Sequence, residues 1–124
     1  MLGLSFFPKI YLCTSPTDMR KNFDGLAALV QGAMGKDPIS DGAFVFVNRP
    51  GDKMKILVWD RHGYWLLYKR LEEGRFQMPP YEEEKPEAVA LTYEQLVMII
   101  EGIDLTTVKR RKRYENNAGK YLTK

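Results

Sequence analysis

The chain is 124 residues long and 44% hydrophobic, and its 19 basic and 16 acidic side chains leave a net charge of +3. That length suits one domain with one core, and no run of about 18 apolar residues is present to span a membrane. One cysteine, Cys13, excludes an internal disulfide, and with one histidine, His62, it cannot supply the four ligands of a structural zinc site.

The N-terminal stretch MLGLSFFPKIYLCT is apolar but has no basic leader and meets Lys9 early, so no signal peptide is expected and the expected compartment is the cytoplasm. KIYLCT (9–14) is rich in β-formers and predicts a first strand. SPTDMRKNFD (15–24) then predicts a helix start. Ser15 is the N-cap, Pro16 the first helical residue, and Asp18 completes a variant capping box. Met19, Phe23, Leu26, Ala27 and Val30 fall on one helical face. Arg20, Lys21 and Asp24 lie off that stripe, with Arg20 and Asp24 spaced to pair. Gly25 costs up to about 1 kcal/mol in a helix relative to Ala, which suggests close packing against a strand.

GAMGKDPISDG (32–42) reads as a loop. AFVFVN (43–48), KMKILVWD (53–60) and YWLLYKRL (64–71), separated by RPGD and RHG, predict an antiparallel meander. EEGRFQMP (72–79) is a candidate for a short fourth piece. In the second of these strands Met54, Ile56 and Val58 make the expected core face, opposite Lys53 and Lys55. PPYEEEKPEA (79–88) reads as an exposed acidic connection. In LTYEQL a second helix begins, with Thr92 and Gln95 as a capping box, Leu91 stapled to Leu96, and Gly102 as the stop. Five consecutive apolar residues, 96–100, exceed what one core can cover. The surplus, Met98 or Ile99, is either buried on two sides of the domain or faces a partner.

The expected fold is thus α+β: a small, mainly antiparallel sheet packed against one or two helices, forming a single domain over residues 1–108 and followed by a basic tail, 109–124. Charge is unevenly spread, with +4 over residues 1–71, −7 over 72–108 and +6 over 109–124. The tail either folds back on the acidic segment or meets an anionic partner. It carries too little apolar surface to offset the ordering cost of about 1–2 kcal/mol per residue, so it is expected to order on such a partner.

No Walker loop, HExxH or GxSxG motif is present. Cys13 reads as a small buried hydrophobe and His62 as a solvated turn residue, so neither a catalytic site, a metal nor a cofactor is expected. What remains is cationic surface interleaved with aromatics. The candidate nucleic-acid-binding residues are Arg20, Lys21, Lys53, Lys55, Lys69 and Arg70, with Lys109, Arg110, Arg111, Lys112 and Arg113 of the tail.

Three blocks of the sequence, IYLCTSPTDMRKNFDGLAALV (10–30), GAFVFVNRPGDKMKILVWDRHGYWLLYKRLEEGRF (42–76) and LTYEQLVMIIEGID (91–104), resemble in order and spacing the TnpB-type accessory protein. That protein is the second reading frame of the bacterial insertion-sequence family numbered sixty-six, unrelated to the RNA-guided nuclease of the same label. The matched positions include Thr17, Asp18, Met19, Arg20, Lys21, Phe23, Asp24 and Gly25 in the first block. In the second they include Gly51, Asp52, Lys55, Trp59, Asp60, Gly63, Tyr68, Lys69 and Arg70. The resemblance implies a protein encoded beside a separate, larger transposase and needed for efficient transposition. The family has no assigned catalytic residues, so the resemblance brings none to this chain, and DNA binding is the role usually supposed. Two functions follow as expectations: an accessory factor that contacts DNA through a basic face and tail, or a module that docks on the transposase through Met98 and Ile99 without touching DNA.

Overall fold

The computed structural model describes residues 9–40, 42–78 and 87–102. The chain order is β1 (Ile10–Cys13), α1 (Phe23–Gln31), β2 (Ala43–Val47), β3 (Lys53–Asp60), β4 (Gly63–Arg70), β5 (Ala88–Leu91) and α2 (Tyr93–Glu101). The strands form one sheet in the order β4-β3-β2-β1-β5. The expected α+β architecture and the β2-β3-β4 meander are therefore present. β1 runs parallel to β2, and every other neighbouring pair is antiparallel.

The two helices pack on opposite faces of this sheet. On one face Leu26 and Val30 of α1 meet Cys13, Phe44, Phe46 and Leu57. On the other, Leu96 and Ile99 of α2 meet Ile10, Leu12, Val45, Ile56 and Val58. Alternate residues of each central strand thus serve different cores. This is why AFVFV is buried at every position and shows no polar alternation. The expectation of one core face on β3 is corrected accordingly: Met54, Ile56 and Val58 face α2, but Leu57 faces α1 and is equally buried. Each fully buried Leu or Val side chain contributes roughly 1.5–3 kcal/mol, so both layers are needed.

The second helix follows its sequence signals. The Thr92 hydroxyl accepts from the Gln95 N–H at 3.0 Å, and the Gln95 side chain accepts from the Thr92 N–H at 2.9 Å. Leu91 and Leu96 share the α2-side core. Gly102 ends the helix in the left-handed conformation that glycine adopts without steric cost.

The first helix does not. Its N-cap is Asn22 rather than Ser15, and residues 14–22 form an ordered loop. Competing partners explain the shift. The Thr17 N–H donates to the Val47 carbonyl at 2.9 Å, extending the contact of β1 with β2. The Asp18 carboxylate accepts from the Arg20 N–H and guanidinium instead of capping a helix. Arg20 accordingly pairs with Asp18 and not with Asp24. Gly25 packs against its own helix entrance rather than a strand, since a Cβ there would lie 3.2 Å from Lys21 Cβ.

Two further elements differ from expectation. β5 was not expected: it runs from Ala88, the last residue of the expected connection, to Leu91 at the expected helix entrance, pairing antiparallel with β1 from Ile10↔Leu91 to Cys13↔Ala88. Residues 72–78 add no strand. They fold back over the β2–β3 turn, where the Phe76 N–H donates to the Gly51 carbonyl at 2.8 Å and the Phe76 ring enters the α2-side core. No described helix is long and apolar enough to cross a membrane.

Candidate nucleic-acid interface

The sequence around Thr17–Asp18 and the NRPGD turn, far apart in the chain, meet at one end of the sheet. β1 and β2 are parallel, so their carboxyl ends lie side by side and the segments that leave them are neighbours. Such an end is where open sheets with parallel strands build crevices. Asn48 holds the turn rigid: its side-chain oxygen accepts from the N–H groups of Gly51 (2.9 Å) and Lys53 (3.0 Å), and its amide donates to Asp52 at 2.7 Å.

Lys55 braces the facing loop. Its side chain lies on the α1 face of β3, and the residue is only 2% exposed. The ammonium donates to the carbonyls of Met19 and Lys21, both at 2.7 Å, and to the Asn22 side-chain oxygen at 3.0 Å. It also lies 4.7 Å from the Tyr68 ring centre, a favourable cation–π position. This use of its oxygen leaves Asn22 without a side-chain cap bond to the helix. Lys55 was expected in the exposed basic face. That expectation is corrected: it is a buried brace, satisfied by oxygen acceptors as a buried cation must be.

The remaining candidates fall into three groups. Arg20 and Arg70 are exposed but paired, to Asp18 at 2.7 Å and to Glu72 at 3.0 Å. The Arg20 guanidinium and then its N–H hold the Asp18 carboxyl down at about 2. Lys21 and Lys53 are on the α1 side. Lys21 is held through its carbonyl by Lys55, and Lys53 is two residues before Lys55 and in register with Arg70. Lys69 is separated from them, since its register partner Met54 faces α2.

Two cations missed by the sequence reading complete the site. Arg49, Gly51, Arg75 and Phe76 line a cleft of about 180 Å³ with Ser15 and Asn48. An adjoining cleft of about 320 Å³ lies between residues 16–19 and residues 48–50, and shares Pro16, Asn48 and Arg49 with the first. Arg49 sits at the tip of a Pro-Gly turn, a position that could have been noticed. Arg75 gives no such signal, because the chain reversal that brings it to Gly51 depends on the burial of Phe76. Lys21, Arg49, Lys53 and Arg75 make no ion pair or side-chain hydrogen bond with any described residue. Arg49 and Arg75 line the first cleft and Arg49 the second, whereas Lys21 and Lys53 line neither, and the charge of Lys21 acts on the Asp18 carboxylate. Among the described residues no three His, Cys, Asp or Glu side chains gather to hold a metal.

On α2, Ile99 is fully buried in the core, which corrects its expected place on a partner surface. Met98 is exposed, with Val97 and Tyr93 beside it on the outer side of the helix. Lys109, Arg110, Arg111, Lys112 and Arg113, like the acidic residues 82–84, lie outside the described residues.

Comparison with known proteins agrees with the resemblance seen in the three sequence blocks. The family described as IS66 Orf2-like protein matches residues 8–110. The uncharacterized protein y4jC of Sinorhizobium fredii is 36% identical over 111 residues, covering 90% of this chain and 92% of its own. The uncharacterized protein y4hO of the same organism is 36% identical over 96 residues, covering 77% and 81%. No solved structure matches. The chain thus belongs to the IS66 Orf2-like family, whose members imply an accessory part in the transposition of an insertion sequence.

Proposed function

We propose that the protein is a non-catalytic accessory factor that contacts the phosphodiester backbone of DNA in the cytoplasm through the rim formed by Lys21, Arg49, Lys53 and Arg75, with the basic run 109–113 as a second point of attachment. The observation that carries this reading is that Arg49 and Arg75, from segments far apart in the chain, line one cleft at this end of the sheet, with Lys21 and Lys53 as further cations that form no salt bridge with a described residue. Cations that meet phosphates in this way supply affinity without reading bases.

A salt titration on two unrelated duplexes tests it. Replacing all four rim cations by Gln should flatten the log–log salt slope by up to about 3.6, at about 0.9 for each phosphate no longer neutralised, and equally on both duplexes. Lys36→Gln, towards the other end of the sheet, should leave the slope unchanged. If the wild-type protein bound neither duplex at low salt, the DNA reading would be abandoned.

The outer side of α2 favours a second reading. Tyr93, Val97 and Met98 are large, apolar and exposed together, which suits docking on the separately encoded transposase. Val97→Glu with Met98→Glu should then abolish co-purification with the transposase while leaving DNA binding intact.

A further inference from the structure

Among the described residues β4 is the last strand of the sheet and pairs only with β3. Its register with β3 is unbroken from Lys53↔Arg70 to Asp60↔Gly63, without a bulge, and it contains no proline. The Asn48 N–H donates to the Lys53 carbonyl and the Leu71 N–H to the Asp52 carbonyl. Strand alternation then turns Lys53, Lys55 and Leu57 towards β2, and Met54, Ile56 and Val58 towards β4. The backbone groups of Trp65, Leu67 and Lys69 are used by β3. Those of Tyr64, Leu66, Tyr68 and Arg70 point away from the sheet. The strand also exposes two aromatic side chains, Trp65 at 53% and Tyr68 at 55%. A long, regular edge with exposed aromatics is a template for strand addition, and its charges are confined to its last two residues.

We infer that this edge pairs with the same edge of a second copy of the chain, antiparallel about a two-fold axis centred on Leu67. Two-fold symmetry puts each residue opposite one whose number makes a constant even sum. Centring on Leu67 sets Leu66 against Tyr68, Trp65 against Lys69 and Tyr64 against Arg70, with like faces of the two sheets together. The outward backbone groups then fall in hydrogen-bonded pairs, Leu66 with Tyr68 and Tyr64 with Arg70. Each strand cation then meets an aromatic ring. Centring on Leu66 instead brings Arg70 to His62 and leaves Lys69 opposite Gly63. A parallel pair would stack Lys69 on Lys69. Contact of each strand cation with an aromatic ring, and the avoidance of like charges, thus favour a second copy in the Leu67-centred register over these alternatives. The product is one continuous sheet with twice the five strands of the monomer. The two cationic rims lie towards its opposite ends.

The test measures solution mass and backbone amide exchange on the full chain. The wild type should run at twice the 14.4 kDa chain mass, with the amides of Leu66 and Tyr68 protected. Trp65→Lys places lysine opposite lysine at both symmetric positions and should weaken the dimer by about tenfold or more. Adding Lys69→Glu to Trp65→Lys should restore it. Amide exchange of the wild type reads the same edge without any substitution, so a poorly folded variant does not leave the question open. A monomer with freely exchanging Leu66 and Tyr68 amides would overturn the proposal. So would a monomer with those amides protected, which would assign the edge to another segment of the same chain. A dimer unmoved by Trp65→Lys would place the interface elsewhere.

Discussion

The ammonium of Lys55 holds the backbone carbonyl of Lys21 at 2.7 Å. One lysine is sealed into the protein so that the loop carrying another stays in place on the surface. This resolves the cluster of charges in TDMRK. Those residues do not open a helix; they form a loop whose shape is imposed by a side chain on β3.

Replacing Lys55 by Met keeps an unbranched apolar stem, one atom shorter, and removes the three hydrogen bonds of the ammonium. Two carbonyls and the Asn22 side-chain oxygen lose a charged donor. Hydrogen bonds to charged groups are each worth about 1.5–3 kcal/mol, but water can reach the loop once it loosens, so a loss of roughly 2–3 kcal/mol is expected. Urea denaturation gives the value. Lys21→Gln, which leaves the carbonyl in place, should change stability by less than about 0.5 kcal/mol.

Asp18 should titrate far below its ordinary 3.8. The Arg20 side chain, and then the Arg20 N–H, favour the ionised form and bring the value to about 2. Its contribution to stability is therefore complete above the unfolded value of 3.8 and is lost as pH falls through about 2. Carbon-detected NMR titration of the carboxyl should show this, and in Arg20→Gln the midpoint should rise towards 3.8. A midpoint unmoved by that substitution would assign the depression to another group.

Gly42 has φ of +115°, and a Cβ there would lie 2.1 Å from the Lys9 carbonyl oxygen. The same carbonyl accepts from the Ala43 N–H at 3.1 Å, so it cannot move without disturbing the start of β2. Gly42→Ala should cost about 2 kcal/mol or more. Thermal denaturation checks this, and the far weaker effect of Gly63→Ala, where φ is not positive and a Cβ meets nothing within 4 Å, provides the contrast.

Cys13 is buried against α1, and burial pushes its thiol up from the ordinary 9.0 despite a hydrogen bond to the Ser15 carbonyl. The thiolate is the reactive form. Alkylation of the folded protein at pH 8 should therefore be slow, and should accelerate to the rate of a free thiol in denaturant. Rapid modification without denaturant would show that β1 opens locally.

Much of this protein is legible residue by residue. AFVFV, KMKILVWD and YWLLYKRL announce a meander because β-rich runs are separated by turn residues. α2 is bounded by Thr92, Gln95 and Gly102 because capping is decided within a few residues. Other features depended on distant partners. Ser15 and Asp18 form a good helix-start pattern, yet Thr17 is drawn to Val47 and the would-be cap of Asn22 is taken by Lys55. The same lysine looks like surface charge when only the alternation of β3 is read. It becomes core because α1 covers that face as well. Ile99 faces the sheet and Met98 does not, a choice among consecutive apolar residues that only the docking of α2 could make. Arg49 and Arg75 join one rim because β1 and β2 run parallel and Phe76 folds back into the core. Local hydrogen bonding and periodicity are written in short windows of sequence. Which charges end up together was decided by the packing of segments far apart in the chain.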